Sequence, residues 1–152
     1  MIAPDAHYRS LLDAAGIRIG ESPLFHLPDP TPEIELQARW FAGEFGSCFT
    51  STDGRTVEIV EPGVWNRETG PDFIDARVRF DSAPAIRGPI EVDRDARDWE
   101  RHGHSANPAY DAVILHVVFS LPRTRFFTRT VSHRNVPQIR IEPSSEDPPL
   151  AL

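Results

Sequence analysis

The architecture follows from two segments, DFIDARVRF at residues 72–80 and IRGPIEVD at residues 86–93. In the first segment apolar side chains alternate with charged ones, so that Ile74, Ala76 and Val78 share one face. A period of two residues is typical of a β-strand with one buried face. We therefore predict two strands here, close enough along the chain to be neighbours in one sheet.

Three other regions extend this sheet. Residues 111–121 read DAVILHVVFSL, a nearly continuous apolar run that is typical of a central strand covered on both faces. Residues 51–54, STDG, predict a tight turn between two further strands. Residues 125–131 and 136–142 flank a polar turn at 132–135, and this pattern predicts a C-terminal β-hairpin.

A helix is predicted before the strands, at residues 33–43. Thr31 can cap its N-terminus, Pro32 suits its first turn, and the charges of Glu33 and Glu35 favour the positive end of the helix dipole. Its apolar side chains form two neighbouring stripes, which are Ile34, Ala38 and Phe41 on the inward one, and Leu36 and Trp40 beside it.

The length and the order of these elements predict one α/β domain of the mixed α+β type, with a central mixed sheet flanked by helices. A chain of 152 residues has the size of a single domain. We place this domain at residues 33–141. Residues 1–32 are expected to form an N-terminal helix and a proline-rich segment that wraps the domain, and residues 142–152 a disordered tail.

All 16 cationic side chains are arginines, and with 23 acidic residues they give a net charge of −7. The absence of lysine excludes mechanisms that require a catalytic lysine. A net negative charge argues against tight nonspecific binding to nucleic acid, whose backbone favours an excess of cations. The charge is uneven, however, because residues 101–141 carry six arginines and one acid, Asp111.

Membrane insertion and disulfide formation are both disfavoured by the sequence. The chain has no run of about 18 apolar residues, and its first residues lack the basic stretch and apolar run of a secretory leader. We therefore expect a cytoplasmic protein. Cys48 is the single cysteine, which excludes an internal disulfide and a cysteine-based zinc site. We expect it to be a small buried side chain.

Three acidic residues are the first candidates for chemistry. Glu91 and Asp93 are two residues apart on a predicted strand and therefore point to the same side, and a neighbouring strand can bring Asp72 beside them. Converging carboxylates repel each other unless a cation is present, and oxygen ligands suit Mg²⁺ or Mn²⁺. The alternative is that these acids are solvated at the edges of the sheet.

Histidines form the second set of candidates. His102 and His104 follow one another in the segment DWERHGH at 98–104, and with a carboxylate they could bind zinc, iron or manganese. The alternative is that they bond to the backbone or stack on Trp99. His116 lies in the apolar run at 111–121, where it is either a hydrogen-bonded core residue or a group directed into a cleft.

Arginines interleaved with aromatic residues form the third set. Arg123, Arg125 and Arg129 alternate along a predicted strand near Phe126 and Phe127. Such a surface can hold phosphates or stacked bases, and thus nucleic acid. Solvated charge on an edge strand is the alternative interpretation.

Four segments are distinctive as a set, and they are EIELQARWF (33–41), EPGVWNRETGPDFIDARVRF (61–80), GPIEVDRDARDWERHGHS (88–105) and YDAVILHVVF (110–119). Together they resemble a bacterial family known as domain of unknown function 2851. The resemblance covers residues 33–141. The members of this family are generally longer, so the resemblance implies that this chain corresponds to a first domain and that a second domain is absent.

The same segments resemble, more distantly, the core of the PD-(D/E)xK nucleases. Asp72, which follows a proline, matches the first acid of that motif, and Glu91 matches the second. Asp93 stands where the family has its lysine, and an acid cannot stabilise developing negative charge as an ammonium does. Glu35 would match an accessory acid of some members. The resemblance implies a restriction-endonuclease-like core.

The resulting hypothesis is a divalent-metal-dependent nuclease or related phosphodiesterase that uses Mg²⁺ or Mn²⁺. Asp72 and Glu91 would be metal ligands, Asp93 a ligand or a group that orients water, and His104 an auxiliary acid, base or ligand. The auxiliary residues would be Glu35, His102 and His116. One alternative is a non-catalytic module of the same fold that binds nucleic acid or a protein. The other is a transition-metal protein centred on the histidines.

Overall fold

The structure, a computed structural model, describes residues 31–142. The chain divides into two compact units, the first ending at Glu44 and the second beginning at Phe45. The helix predicted near the N-terminus, the proline-rich segment up to residue 30 and the tail from residue 143 lie outside the described residues. The domain boundaries predicted from the sequence stay predictions.

Helix α1 spans Glu33–Phe41 in the first unit, two residues shorter than predicted. Its N-cap is Pro32, which makes no side-chain cap bond, so the prediction that Thr31 occupies the N-cap position is wrong. Gly43, at φ +77°, follows the C-cap and ends the helix. The prediction that Phe41 faces inward is also wrong, because Phe41 is exposed. The buried helix side chains are Leu36, Gln37, Ala38 and Trp40.

A seven-stranded sheet forms the body of the second unit. Its strands are β1 (Cys48–Thr50), β2 (Thr56–Glu61), β3 (Val64–Trp65), β4 (Phe73–Phe80), β5 (Ile86–Asp95), β6 (Leu115–Ser120) and β9 (Gln138–Arg140). Strands β7 (Thr128–Arg129) and β8 (Asn135–Val136) form a separate two-stranded hairpin. Helix α2 (Asp98–Arg101) and two 3₁₀ turns (His104–Ala106 and Pro108–Tyr110) connect β5 to β6.

The sheet has the order β1-β2-β4-β5-β6-β9, with β3 paired to the start of β4. The pairs from β1 to β5 are antiparallel, whereas β6 runs parallel to β5 and β9 runs parallel to β6. The predicted mixed α+β class with a C-terminal hairpin is therefore confirmed. The second arm of the predicted hairpin divides, because β8 pairs with β7 while β9 joins the central sheet.

A β-bulge near the start of β4 changes which side chains enter the core. Pairing with β5 shifts between Phe73 and Ala76, and Asp75 adopts φ +60°. A bulge adds an unpaired residue, which moves the following side chains to the opposite face. Phe73, Ala76 and Val78 are buried as a result, and Ile74 is 38% exposed. The strict alternation predicted for this strand is therefore wrong at Ile74.

Strands β5 and β6 are covered on both faces. Residues 90–93 of β5 are all buried, and so are residues 115–118 of β6, so that side chains on both faces of these strands are enclosed. Because β5 is covered on both sides, its acidic side chains are enclosed along with its apolar ones. Cys48, in contrast, is exposed on the edge strand β1, so the expectation that it is buried is wrong.

Glycine at position 63 is required both by the backbone and by the space around it. Gly63 has φ +87°, and a Cβ there would lie 2.4 Å from the carbonyl oxygen of Ile74 and 2.9 Å from the nitrogen of Ala76. Gly54 has a similar φ of +91°, with no atom within 4 Å of such a Cβ. Substitution at each of these two positions therefore separates the cost of the left-handed backbone from the cost of steric overlap.

We predict that Gly54→Ala lowers the free energy of unfolding by about 1–2 kcal/mol, the cost of a left-handed backbone in a residue with a Cβ. Gly63→Ala should lower it by about 1–3 kcal/mol more, because the added methyl group overlaps the backbone of β4. Urea unfolding of both variants measures the difference. Equal losses would contradict the close packing of Gly63 against the bulge.

Candidate metal centre

Strand β5 places two carboxylates on one side of the sheet. Glu91 and Asp93 are two residues apart, and in the parallel register Glu91 pairs with His116 of β6. Both acids are buried, and Asp93 has no exposed surface. A buried carboxylate is strongly destabilising unless hydrogen bonds or charges compensate it. Its partners therefore identify what the site can do.

Asp72 and Glu91 are held against each other. The backbone N–H of Asp72 donates to Glu91 Oε1 at 3.0 Å, and the N–H of Val92 donates to Asp72 Oδ2 at 3.0 Å. Burial, and then the negative charge of Glu91, raise the pKa of Asp72 to about 9, although the bond from Val92 opposes the shift. Asp72 therefore carries a proton at neutral pH in the folded chain.

The segment before Asp72 fixes where this residue enters the sheet. Asn66 uses its side-chain nitrogen to donate to the carbonyl oxygens of Thr69 and Pro71, at 3.2 and 2.9 Å. The N–H of Asn66 donates to the carbonyl oxygen of Asp72 at 2.7 Å. Gly70, at φ +109°, allows the turn that these bonds close. Asp72 is thus positioned by a loop with its own hydrogen bonds.

His104 returns to the carboxylates from the connection after β5. Gly103, at φ +75°, reverses the chain after α2 and brings the imidazole onto the ring of Tyr110, with a stacked centroid distance of 3.8 Å. His104 Nε2 lies 2.9 Å from Glu91 Oε2. Burial lowers the pKa of His104, and the charge of Asp93 partly opposes this. The imidazole is therefore neutral at pH 7, the form that binds metal ions.

Three histidines surround Asp93. His116 Nε2 lies 2.8 Å from Asp93 Oδ2, and His102 Nδ1 lies 3.5 Å from Asp93 Oδ1. The rings of His102 and His104 are 5.5 Å apart. One ligand atom from each of Asp93, His102 and His104 lies within 4.8 Å of the others. The side chain of His102 is 46% exposed, so this group reaches the solvent.

Two polar atoms of this group are buried without a hydrogen-bond partner among the residues that the structure describes. They are Asp93 Oδ1 and His104 Nδ1. Their residues are 0% and 7% exposed. Buried polar atoms are nearly always paired, so an unpaired oxygen and an unpaired imidazole nitrogen in one cluster require an explanation. A cation bound by the lone pairs of both atoms would explain why neither has a hydrogen bond.

The second polar atom of each of these two side chains already has a partner. His116 engages Asp93 Oδ2, and Glu91 engages His104 Nε2. Carboxylate partners on the far nitrogen of a histidine and hydrogen bonds to the far oxygen of a carboxylate are the usual outer-shell contacts of metal ligands. Two imidazoles and one carboxylate also form a recognised ligand set for first-row transition metals. The residues present therefore fit a metal ion.

A buried hydrogen-bond relay supports Asp93 from behind. His116 is fully buried and its Nδ1 lies 2.7 Å from Thr128 Oγ1. Gln138 Nε2 donates to the same hydroxyl at 2.8 Å, so the hydroxyl can donate its own hydrogen to His116. The remaining ring N–H of His116 then donates to Asp93. Of the two interpretations left open for His116, the structure thus supports the hydrogen-bonded core residue.

The structure brings most, but not all, of the predicted residues together. Glu35 lies partly buried on α1 in the first unit. The three arginines Arg123, Arg125 and Arg129 are exposed and belong to a different surface. Sequence reasoning missed Thr128 and Gln138, whose signal was a polar side chain at an inward position of a short strand.

Comparison with known proteins identifies one family. The family model described as "Protein of unknown function (DUF2851)" matches residues 33–147. The chain belongs to this family. The match confirms the resemblance found in the sequence, whereas the more distant resemblance to PD-(D/E)xK nucleases stays a prediction. No curated protein and no solved structure matches the chain. Within residues 31–142, every helix is too short or too polar to span a membrane.

We predict that the stability of the metal-free protein falls as the pH rises from 5 to 8.5. The folded chain keeps a proton on Asp72 up to its raised pKa of about 9, whereas the unfolded chain loses it near 4. Asp72→Asn mimics the protonated side chain and should reduce this fall by at least about 1 kcal/mol. Thermal unfolding in EDTA at several pH values measures the effect.

Glu68→Gln is the matched control, since Glu68 is an exposed acid of the same loop region. It removes one negative charge without touching the carboxylate pair. A pH dependence that is the same in the wild type and in Asp72→Asn would show that Asp72 does not hold a proton.

The relay predicts that two core substitutions are coupled. His116→Leu should destabilise by about 3–5 kcal/mol, because it leaves the buried carboxylate of Asp93 without its partner. Thr128→Val should cost about 1–3 kcal/mol, because it leaves buried nitrogen atoms unpaired. The stability lost in the double variant should be smaller than the sum of the two single losses by at least about 0.5 kcal/mol. Urea unfolding of all four proteins gives this coupling, and strict additivity would rule out the relay.

Proposed function

We propose that the protein is a metal-dependent hydrolase that binds a transition-metal ion through Asp93, His102 and His104. The observation that supports this most strongly is the pair of buried atoms without a partner in the described residues, Asp93 Oδ1 and His104 Nδ1. Each belongs to a side chain whose other polar atom is already bonded. One ligand atom of each of these side chains also lies within 4.8 Å of the other and of a ligand atom of the exposed His102.

The ligand chemistry favours some ions over others. Imidazole nitrogen suits zinc, iron and manganese, while Mg²⁺ prefers an all-oxygen environment. The proposal therefore adopts the alternative in which histidines provide the centre. Mn²⁺ satisfies both this arrangement and the three-carboxylate arrangement with Asp72 and Glu91.

Three protein ligands leave coordination positions open for water and substrate. An ion bound in this way lowers the pKa of water and polarises a phosphoryl or carbonyl oxygen, which is the chemistry of hydrolytic metal sites. The chain contributes orientation: Glu91 fixes the ring of His104, and His116 fixes the carboxylate of Asp93. Asp72 provides a protonated carboxyl group close by. Phosphate esters are the substrate class that we propose.

A second candidate is the Mg²⁺- or Mn²⁺-dependent nuclease in which Asp72, Glu91 and Asp93 are the ligands. The observation in its favour is the raised pKa of Asp72, to which the charges of Glu91 and Asp93 both contribute. A cation between these carboxylates would relieve that repulsion. The two candidates differ in whether His102 or Asp72 is required for binding the ion.

Calorimetric titration with Zn²⁺, Mn²⁺ and Mg²⁺ tests the proposal. The wild type should bind one Zn²⁺ or Mn²⁺ ion per chain. His102→Asn should weaken this binding by roughly tenfold or more, because one of three ligands is lost. His133→Asn is the matched control: His133 is also exposed, and its φ of +66° suits asparagine. The control should bind as the wild type does.

The titration also separates the candidates. Loss of binding in Asp72→Asn with normal binding in His102→Asn would favour the carboxylate site of a nuclease. Absence of binding in the wild type would reject both metal sites. Hydrolysis of a chromogenic phosphodiester, abolished by Asp93→Asn, would support the enzyme; metal binding without turnover of phosphodiester or nucleic acid would leave a non-catalytic metal module.

A further inference from the structure

Arginines gather around one exposed aromatic ring in the segment between β6 and β8. The guanidinium carbon of Arg125 lies 5.3 Å from the ring centroid of Phe127, and that of Arg129 lies 5.9 Å from it. Attraction between a cation and an aromatic face accounts for each contact. Because both contacts involve one ring, Phe127 holds two positive charges close to each other.

An open cleft of about 520 Å³ lies beside this ring. Arg123, Arg125 and Phe127 line one side, and Arg55 lines it from the turn between β1 and β2. Arg55 is compensated by Asp53, at 3.1 Å. We define the arginine cleft by four of the residues that line it, which are Arg55, Arg123, Arg125 and Phe127.

Arg123, Arg125 and Arg129, unlike Arg55, have no acidic partner among the described residues. Over residues 31–142, no carboxylate lies within ion-pair distance of Arg123 or Arg125, and Arg129 donates to the neutral Asn135 at 3.1 Å. The sequence has no acidic residue between Asp111 and Glu142, although the whole chain has a net charge of −7. Cations concentrated in this way attract anions from solution.

Hydrogen bonds hold the floor of the cleft. Thr128 and Gln138 line it, and they are also the outer members of the relay that ends at Asp93. Gln138 further accepts from Thr52 at 3.2 Å and donates to the carbonyl oxygen of Phe126 at 3.0 Å. The arginine-bearing segment is thereby tied to β9, which reduces the loss of conformational freedom when a ligand binds.

We propose that the arginine cleft is a phosphate-binding site, separate from the metal centre. Guanidinium groups offer paired N–H donors whose geometry matches the oxygens of phosphate. Arg125, held against the ring of Phe127, and Arg123 line the cleft and would face such a ligand. The phosphate can belong to a small molecule or to the backbone of a single-stranded nucleic acid. This inference does not depend on the proposed metal chemistry.

Calorimetric titration of the full chain with pyrophosphate, in EDTA, tests the site. The wild type should bind, and Arg125→Gln should weaken the binding roughly tenfold, because a charge-assisted contact is lost. Phe127→Leu should also weaken the binding of pyrophosphate, since it removes the aromatic ring that holds the guanidinium group of Arg125. The control is Arg87→Gln, which removes the same charge from an exposed arginine outside the cleft. It should change the affinity by about twofold at most.

Three results would overturn the proposal. The first is no binding of pyrophosphate by the wild type. The second is an equal loss in Arg87→Gln and Arg125→Gln, which would indicate a general charge effect. The third is a loss of pyrophosphate binding in Asp93→Asn, which would place the phosphate at the metal centre. Anisotropy of a labelled 12-nucleotide single strand distinguishes the sources: tighter binding than pyrophosphate assigns the cleft to nucleic acid, and weaker binding assigns it to a small phosphate compound.

Discussion

The side chain of Asp93 is fully enclosed, and the arrangement around it depends on compensating that buried carboxylate. Removing an ionised carboxylate from water costs several kcal/mol unless partners replace the lost hydration. His116 compensates one oxygen through a hydrogen bond that Thr128 and Gln138 support in turn. The other oxygen lies 3.5 Å from Nδ1 of His102, and within the described residues it accepts no hydrogen bond. A bound cation would complete the compensation.

The parallel pairing of β5 with β6 makes this cluster possible. A parallel connection needs a crossover, and here the crossover contains α2 and two 3₁₀ turns. Trp99 anchors it by donating to the carbonyl oxygen of Arg129 at 2.8 Å and by packing in the core. The crossover thereby returns His102 and His104 to the strand that carries Asp93. The proposed metal ligands come from one strand and from the chain that leaves it, so the parallel crossover determines where they lie.

Local patterns were enough to predict most of the strands, though not β3, because alternation and turn residues act over a few positions. They could not reveal the bulge at Ile74 and Asp75, which depends on how β4 meets β5. The spacing of two residues likewise predicted that Glu91 and Asp93 lie on one side of a strand. The closeness of His102 and His104 to Asp93, and the roles of Thr128 and Gln138, arise from contacts between distant segments, which no spacing rule expresses.

In the proposed site, Asp93, His102 and His104 bind one metal ion. A crystal structure of the protein with Zn²⁺, using anomalous scattering at the zinc edge, tests it most directly. We expect one peak about 2.0–2.2 Å from Asp93 Oδ1, His104 Nδ1 and a ring nitrogen of His102. A peak bounded by Asp72 and Glu91 without either histidine, or no ordered peak, would contradict the claim.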